Sequence, residues 1–109
     1  MKNKAMKNSI TSETAAKASY YRLPTESTPE LLEMHLQYNR GTVLVFGDYV
    51  LADGYFYNPN MKEYYGALYA FTTEDHTIEG KIELIAVSED CFEDAGHAIA
   101  WAMNKANVR

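Results

Sequence analysis

The sequence has one cysteine, three prolines and no run of about 18 apolar residues. Because Cys91 is alone, no internal disulfide can form, which fits a reducing compartment, and we expect a cytoplasmic protein. The lack of a long apolar run predicts that no helix crosses a membrane. The basic residues at the start of the chain are not followed by an apolar stretch, so we also expect no secretory signal. With 109 residues, the chain is long enough for one domain with a modest core.

Motifs that would identify a reaction are missing as well. The sequence has no glycine-rich phosphate loop, no Gly-x-Ser-x-Gly nucleophile elbow and no His-Glu-x-x-His zinc motif. Two carboxylates lie at helical spacing from His97, those of Glu93 and Asp94. A zinc site needs three or four converging ligands, and a His-Glu pair is common on solvated helix faces. We therefore predict no metal, no cofactor and no catalytic residue, and expect that the protein is not an enzyme.

Charge is unevenly distributed along the chain. Acidic residues outnumber basic ones by 15 to 10, and the formal net charge is −5. The first 40 residues are slightly basic, so the excess of negative charge lies in the rest of the chain. Non-specific binding to nucleic acid depends on neutralising phosphates, so an excess of acidic residues disfavours nucleic acid as a ligand. The composition favours a basic protein partner and no direct contact with nucleic acid.

Aromatic and β-branched residues mark the strands of a sheet. Residues 64–73 are rich in both and lack proline, so we predict the central strand there. Further strand-like runs lie at 42–47, 49–57 and 81–87. Asp53-Gly54 is a tight-turn signal inside the second of these runs, which leaves open one bent strand pair or two hairpins. The pattern predicts an α+β fold with a small antiparallel sheet of three to five strands.

One helix is predicted before the sheet and one after it, packed on one face. The Thr-Pro-Glu sequence at 28–30 is typical of a helix start, and this helix is expected to span about 29–39. Ser88 is expected to cap a second helix over about 89–105, whose apolar residues recur at helical spacing. Gly96 lies on the apolar stripe and is expected to let this helix approach the sheet closely.

Residues 1–19 are polar and small, which predicts a flexible arm before a single α+β domain at 20–109. A helical turn within residues 11–18 would be marginal without something to pack against. Tyr20 and Tyr21 follow the arm. They either latch it onto the domain or dock a partner, and the sequence leaves both interpretations open.

Eight aromatic residues lie between Tyr49 and Phe71, interleaved with acidic residues. Because side chains alternate along a strand, one helix-covered side of the sheet cannot bury them all, and some tyrosines should be exposed. Exposed tyrosine among acidic residues is typical of a protein-binding surface. The predicted contact residues in this region are Asp48, Asp53, Tyr55, Tyr57, Glu63, Tyr64 and Tyr65. A second predicted acidic patch consists of Glu89, Asp90, Glu93 and Asp94.

Two segments carry a resemblance to a known family. Residues 63–71 read Glu-Tyr-Tyr-Gly-Ala-Leu-Tyr-Ala-Phe, and residues 94–104 read Asp-Ala-Gly-His-Ala-Ile-Ala-Trp-Ala-Met-Asn. An acidic-Tyr-x-Gly strand followed by an alanine-rich Asp-Ala-Gly helix resembles the pattern of the KlcA/ArdB antirestriction proteins of plasmids and phages. The chain departs from that pattern, because it lacks the family's extended C-terminal helical region and its Gly-Tyr-Phe-Tyr strand precedes the central strand. The resemblance implies an α/β protein that blocks a host defence enzyme without chemistry of its own.

Together these features predict a small acidic inhibitor encoded by a mobile element or phage. It is expected to bind a host defence complex that handles nucleic acid, as antirestriction and anti-CRISPR proteins do. The alternative is an adaptor or regulatory module of ordinary cellular function. Such a module could form a homodimer, either through an edge of the sheet or through the seam between helix and sheet edge that Trp101 is expected to cover. A third hypothesis is a small enzyme that pairs a carboxylate with one of the three histidines, His35, His76 or His97.

Overall fold

The computed structural model describes residues 10–37, 40–58 and 61–108, with the backbone alone at 57–58 and 61–62. Its elements are helix α1 (Ser12–Tyr21), strand β1 (Glu26–Ser27), helix α2 (Pro29–Leu36), strands β2 (Thr42–Phe46), β3 (Tyr49–Asn58), β4 (Met61–Phe71) and β5 (Ile82–Val87), and helix α3 (Ala95–Asn107). Helices before and after an antiparallel sheet confirm the predicted α+β class. None of the helices in the described ranges is long and apolar enough to span a bilayer.

The strands form one antiparallel sheet in the order β1-β5-β4-β3-β2. The middle strand is β4, which agrees with the predicted central strand. Strand β3 is continuous, although Asp53-Gly54 was predicted to be a tight turn. Within β3, Asp53 pairs with Thr42 on one side and Gly66 on the other. Backbone pairing with two neighbouring strands overrides the local turn preference here.

The helices cover both faces of the sheet, so the prediction that they share one face is wrong. One face packs against α1 and α2 through a core that includes Ala18, Tyr21, Leu32, Leu36, Tyr65, Tyr69 and Leu84. The other packs against α3 through Leu51, Leu68, Ala86, Ala102 and Ala106. Strand β4 contributes to both clusters, which explains its almost uninterrupted apolar sequence.

A bulge between β4 and β5 changes which residues share a face. Leu68 pairs with Ala86 and Tyr69 pairs with Leu84, so Ile85 is an extra residue in the ladder. Simple alternation would place Ala86 on the same face as Leu84. Because of the bulge, Ala86 instead packs beneath α3.

Part of the predicted flexible arm is helical and belongs to the fold. The Thr11 hydroxyl accepts a hydrogen bond from the Thr14 amide at 3.0 Å and caps α1. Ala18 and Tyr21 are buried in the core, which stabilises a helix that would be marginal alone. The predicted domain boundary at residue 19 therefore falls inside α1. Residues 1–9 of the predicted arm lie outside the described part of the chain.

Helix α2 begins as predicted, with the Thr28 hydroxyl accepting a hydrogen bond from the Leu31 amide at 3.2 Å. It ends at Leu36 with Gln37 as its C-cap, whereas the sequence predicted an end near residue 39. Residues 38–39 of the predicted helix lie outside the described ranges.

Helix α3 begins at Ala95, six residues later than predicted. Its N-cap is Asp94, whose side chain accepts a hydrogen bond from the His97 amide at 2.8 Å. Ser88, the predicted cap, is buried and serves the sheet instead: its hydroxyl accepts from the Gly66 amide at 3.0 Å and donates to the Asp90 carbonyl at 2.8 Å. Residues 88–94 are consequently a loop that runs along the sheet rather than a helical turn.

The close contact between α3 and the sheet depends on Gly66. A Cβ atom at Gly66 would lie 2.6 Å from the backbone oxygen of Ala98 and 2.9 Å from Cε3 of Trp101. Gly96, the glycine that the sequence pattern assigned to this role, is exposed, and a Cβ there would meet only Asp94 Oδ1, at 3.4 Å. The small residue that matters is therefore on the strand and not on the helix.

We expect Gly66→Ala to lower the free energy of unfolding by about 1–3 kcal/mol, because the added methyl group must push α3 away from β4. Gly96→Ala is the matched control. It adds the same methyl group within a helix, where the nearest atom, Asp94 Oδ1, is at 3.4 Å, so it should be neutral or stabilise the protein by up to about 1 kcal/mol. Urea unfolding of both variants measures the two effects, and equal losses in the two would contradict the close-packing interpretation.

Candidate partner-binding site

Four of the predicted acidic residues converge on one cleft. The cleft has a volume of about 770 Å³ and lies between α1, the start of β4 and the loop 88–94. Its lining consists of Tyr20, Tyr21, Glu63, Glu89, Asp90, Cys91, Phe92 and Glu93. Residues that are far apart in the sequence thus form one acidic, aromatic-lined surface.

The loop that carries most of these acids is fastened to β4 at two points. Phe92 and Tyr64 exchange backbone hydrogen bonds of 2.7 and 3.0 Å. Four residues earlier, the Ser88 amide donates to the Gly66 carbonyl at 2.9 Å, and the Gly66 amide donates back to the Ser88 hydroxyl. Two attachments at alternate residues of one strand hold the loop in register with the sheet. The acidic side chains between them are therefore presented on a backbone of defined shape.

Stacked aromatic rings support the wall of the cleft formed by α1. The rings of Tyr21 and Tyr65 are parallel within 16°, with centroids 4.0 Å apart. Tyr20 packs against Phe56 at 4.9 Å and keeps 61% of its surface exposed. Tyr21 therefore latches α1 onto the core, which is one of the two interpretations left open by the sequence, and Tyr20 faces solvent at the cleft.

Cys91 lies at the base of the cleft as a neutral thiol. Burial raises its pKa, the nearby Glu63 carboxylate adds to the rise, and the hydrogen bond with Tyr21 lowers it in part. The Tyr21 oxygen and the Cys91 sulfur are 3.2 Å apart. Burial also raises the pKa of the Tyr21 hydroxyl. Both groups are thus protonated at neutral pH, and Cys91 is not poised as a thiolate nucleophile.

The other predicted contact residues lie away from the cleft or are differently engaged. Asp48 is in the turn between β2 and β3, at the opposite end of β3, with its carboxylate 3.6 Å from Nδ1 of His76. Asp94 caps α3 and also lies 2.9 Å from Nδ1 of His97. Tyr55 and Tyr64 are half-buried and pack edge to face, 5.0 Å apart. The side chain of Tyr57 lies outside the part of the structure that is described.

Two predicted contact residues are buried, and the prediction that they meet a partner is corrected. Tyr65 is inside the core and Asp53 is fully enclosed. Among the described residues, neither the Tyr65 hydroxyl nor the Asp53 carboxylate has a hydrogen-bond partner. Burial raises the pKa of Asp53 from 3.8 to about 6. The side chain and backbone of Thr42, opposite Asp53 on β2, offset part of this rise, although neither makes a hydrogen bond of good geometry with the carboxylate. The sequence suggested exposure because Asp-Gly is typical of a turn, whereas this pair lies in the interior of a strand.

Each histidine has a local structural role. Nε2 of His35 lies 2.7 Å from the Arg22 carbonyl, and the ring of His76 stacks on Phe71 with centroids 4.4 Å apart. His97 contacts the Asp94 carboxylate on an exposed surface. Over the ranges 10–37, 40–58 and 61–108, no group of three or more histidine, cysteine or acidic residues is arranged to hold a metal ion.

Among the residues that line the cleft, the contact residues predicted from the sequence did not include Tyr20 and Tyr21 of α1 or Cys91 and Phe92 of the loop. Tyr20 was considered only as a latch or a docking residue, and Cys91 and Phe92 were placed on a helix. The ammonium nitrogen of Lys17 reaches the Glu89 carbonyl at 3.5 Å, so α1 contacts the loop directly. The sequence did contain a signal for this wall of the cleft, an alanine-containing helical segment that ends in two tyrosines. Its contact across the cleft could not be predicted, because Tyr21 meets Cys91, which is 70 residues further along the chain.

Comparison with known proteins places this small α+β domain in a family. The model of a family described as nucleotide modification associated domain 4 matches residues 23–106. The match covers well over half of the sequence, so the chain belongs to this family. Searches of curated proteins and of solved structures found no match. The resemblance to KlcA/ArdB proteins is not supported by these comparisons and stays an expectation from the sequence.

We expect the stability of the protein to depend on pH through Asp53. Its pKa is raised on folding, so its contribution to stability is complete below pH 4 and is lost as the pH rises through about 6. Between pH 5 and pH 8 this loss is about 1 kcal/mol. Asp53→Asn should remove that dependence. Urea unfolding of both proteins at the two pH values tests the sign, and parallel pH profiles would contradict it.

Tyr65 and Tyr69 allow a comparison of a buried hydroxyl without a described hydrogen-bond partner and one that has a partner. Tyr69 donates a hydrogen bond to the Pro24 carbonyl at 2.7 Å, so Tyr69→Phe should cost about 1 kcal/mol of unfolding free energy. Tyr65→Phe removes a hydroxyl without a partner among the described residues and should be neutral or stabilising. Thermal or urea unfolding distinguishes the two, and a larger loss for Tyr65→Phe would mean that its hydroxyl is satisfied.

Proposed function

We propose that the protein is a non-catalytic binding module whose cleft receives lysine or arginine side chains of a protein partner that handles nucleic acid. The observation that carries this proposal is the convergence of Glu63, Glu89, Asp90 and Glu93 around one aromatic-lined cleft. The carboxylates of these residues would attract a cationic side chain, and those close to it would accept its hydrogen bonds.

The chemistry of the cleft suits a guanidinium or ammonium group in two ways. Carboxylates accept the charge-assisted hydrogen bonds of arginine, often in a bidentate geometry. The exposed ring of Tyr20 offers a face on which a cation is attracted by the π electrons. Because the loop is fastened to β4 at Ser88 and Phe92, little of its flexibility has to be lost on binding.

The family description supports this class of partner, because it associates the family with nucleotide modification. Proteins that bind or modify nucleic acid carry basic surfaces that neutralise phosphates. A module that occupies such a surface with its own carboxylates competes with nucleic acid, which is how inhibition of an antirestriction or anti-CRISPR type would arise from this cleft. The same contact made beside the nucleic-acid path, and not in it, would make the protein an adaptor for a nucleotide-modifying enzyme, and the family description favours this second candidate.

The proposal predicts binding of an oligo-arginine peptide that depends on the position of the acids and not only on their number. The cleft variant combines Glu63→Gln, Glu89→Gln, Asp90→Asn and Glu93→Gln. The control variant combines Glu26→Gln, Glu33→Gln, Glu74→Gln and Glu79→Gln, four exposed acids outside the cleft. Fluorescence anisotropy at physiological salt should give at least about tenfold weaker binding for the cleft variant and less than about twofold for the control.

Equal losses in the two variants would mean that the peptide senses overall charge, and the cleft would then have no special role. Tyr20→Ala is a further check, since loss of a cation–π contact should weaken binding about two- to fivefold without changing the charge. Once a partner is known, competition by DNA separates the inhibitor from the adaptor, because only the inhibitor excludes nucleic acid.

A further inference from the structure

The two edges of the sheet differ in a way that points to a second interaction surface. Strand β1 forms one edge with only two residues, one of which is Glu26. Strand β2 forms the other edge with five residues, Thr-Val-Leu-Val-Phe, none of them charged. Soluble monomers usually blunt their edge strands by shortness, charge, proline or a bulge. The β1 edge has the first two of these devices and the β2 edge has none of them.

The backbone of β2 is available for further pairing at alternate residues. A two-residue turn at Gly47-Asp48 joins β2 to β3, so Phe46 and Tyr49 form the hydrogen-bonded pair that closes the hairpin. The pattern alternates from there, which directs the amides and carbonyls of Val43 and Val45 away from β3. Neither residue makes a turn, loop or cap hydrogen bond with another described part of the chain.

The side chains at this edge are also partly uncovered. Leu44 is 45% exposed and Val45 is 38% exposed, and these neighbours point to opposite faces of the sheet. An added strand would cover apolar surface on both faces at once. None of the β2 residues lines the acidic cleft, so the two surfaces can act independently.

We propose that β2 pairs antiparallel with β2 of a second copy of this chain, about a two-fold axis at Leu44, to form a continuous ten-stranded sheet. In this register Val43 of each copy lies opposite Val45 of the other, and both residues carry the outward-directed backbone groups that can bond. Leu44 meets Leu44 of the other copy across the axis as a pair without direct backbone bonds, the type whose side chains are closest.

Symmetry of charge favours a second copy over an unrelated strand. Arg40 lies four residues before Leu44 and Asp48 lies four residues after it, and both are exposed. Two-fold pairing at Leu44 therefore brings the Arg40 end of each strand to the Asp48 end of the other. Two other registers would also align residues whose backbone groups point outward, with the two-fold axis at Val43 or at Val45. In neither of them does Arg40 of one copy lie opposite Asp48 of the other. The strand between these ends carries no charged residue, so no like charges meet within the proposed pairing.

The first test is the mass in solution of the full chain over a range of concentrations, measured by sedimentation velocity. The parent protein should form a dimer. Leu44→Lys should raise the dissociation constant at least about tenfold, because it places two cations across the axis. Leu31→Lys is the matched control, since Leu31 is an exposed leucine on α2, outside the strand, and it should leave the dimer unchanged. A parent protein that stays monomeric, or a dimer that Leu44→Lys does not weaken, overturns the proposal.

The second test fixes the register by cross-linking. In a Cys91→Ser background, Leu44→Cys should form a disulfide between copies under mild oxidation, because the two Cα atoms face each other within disulfide range. Thr42→Cys should not, since its two copies would be roughly 13 Å apart along the strands. Cross-linking at residue 42 in preference to residue 44 overturns the register. A dimer that shows no cross-link at residue 44 places the contact elsewhere on the molecule and also overturns the proposal.

Discussion

Gly66 is the point on which the two sides of this structure depend. Its amide and carbonyl both bond to Ser88, which fixes the loop after β5 to the middle strand. Its missing side chain lets α3 lie against the sheet at Ala98 and Trp101. The same residue therefore sets the height of the helix above one face and the path of the acidic loop along the strand. A substitution at Gly66 would alter both the packing of α3 and the position of the acidic loop, because both contact the backbone of this one residue.

Strand β4 and the start of α2 could be predicted from the sequence because their signals are local. Ten residues of aromatic and apolar character indicate a buried strand, and Thr-Pro-Glu indicates a helix start whatever surrounds them. The start of α3 could not be predicted in the same way. Ser88 and Asp94 are equally good N-caps in isolation, and the choice between them is made by the Gly66 amide, which engages Ser88 from another strand.

The candidate site was predictable in composition and not in shape. Glu63, Glu89, Asp90 and Glu93 were recognised as acidic contact residues, but their convergence depends on the Phe92–Tyr64 pairing, which joins segments far apart in the chain. Asp53 and Tyr65 were misassigned for the opposite reason. Their residue types suggest turns and surfaces, yet pairing within the sheet and stacking on Tyr21 bury both. Both residues are also unusual in the structure, because buried carboxyl and hydroxyl groups normally have hydrogen-bond partners and these two have none among the described residues.

The aromatic wall of the cleft belongs to α1, whereas the family match begins only at residue 23. The floor and the acidic loop are thus built by the part of the chain that matches the family, and the wall is built by a preceding segment that does not. The negative charge of the cleft and the aromatic surface beside it therefore come from different segments of the chain. Because Ala18 and Tyr21 of the preceding segment are buried against the sheet, a change in the wall would also change part of the core, whereas the acidic loop would keep its backbone attachments to Tyr64 and Gly66.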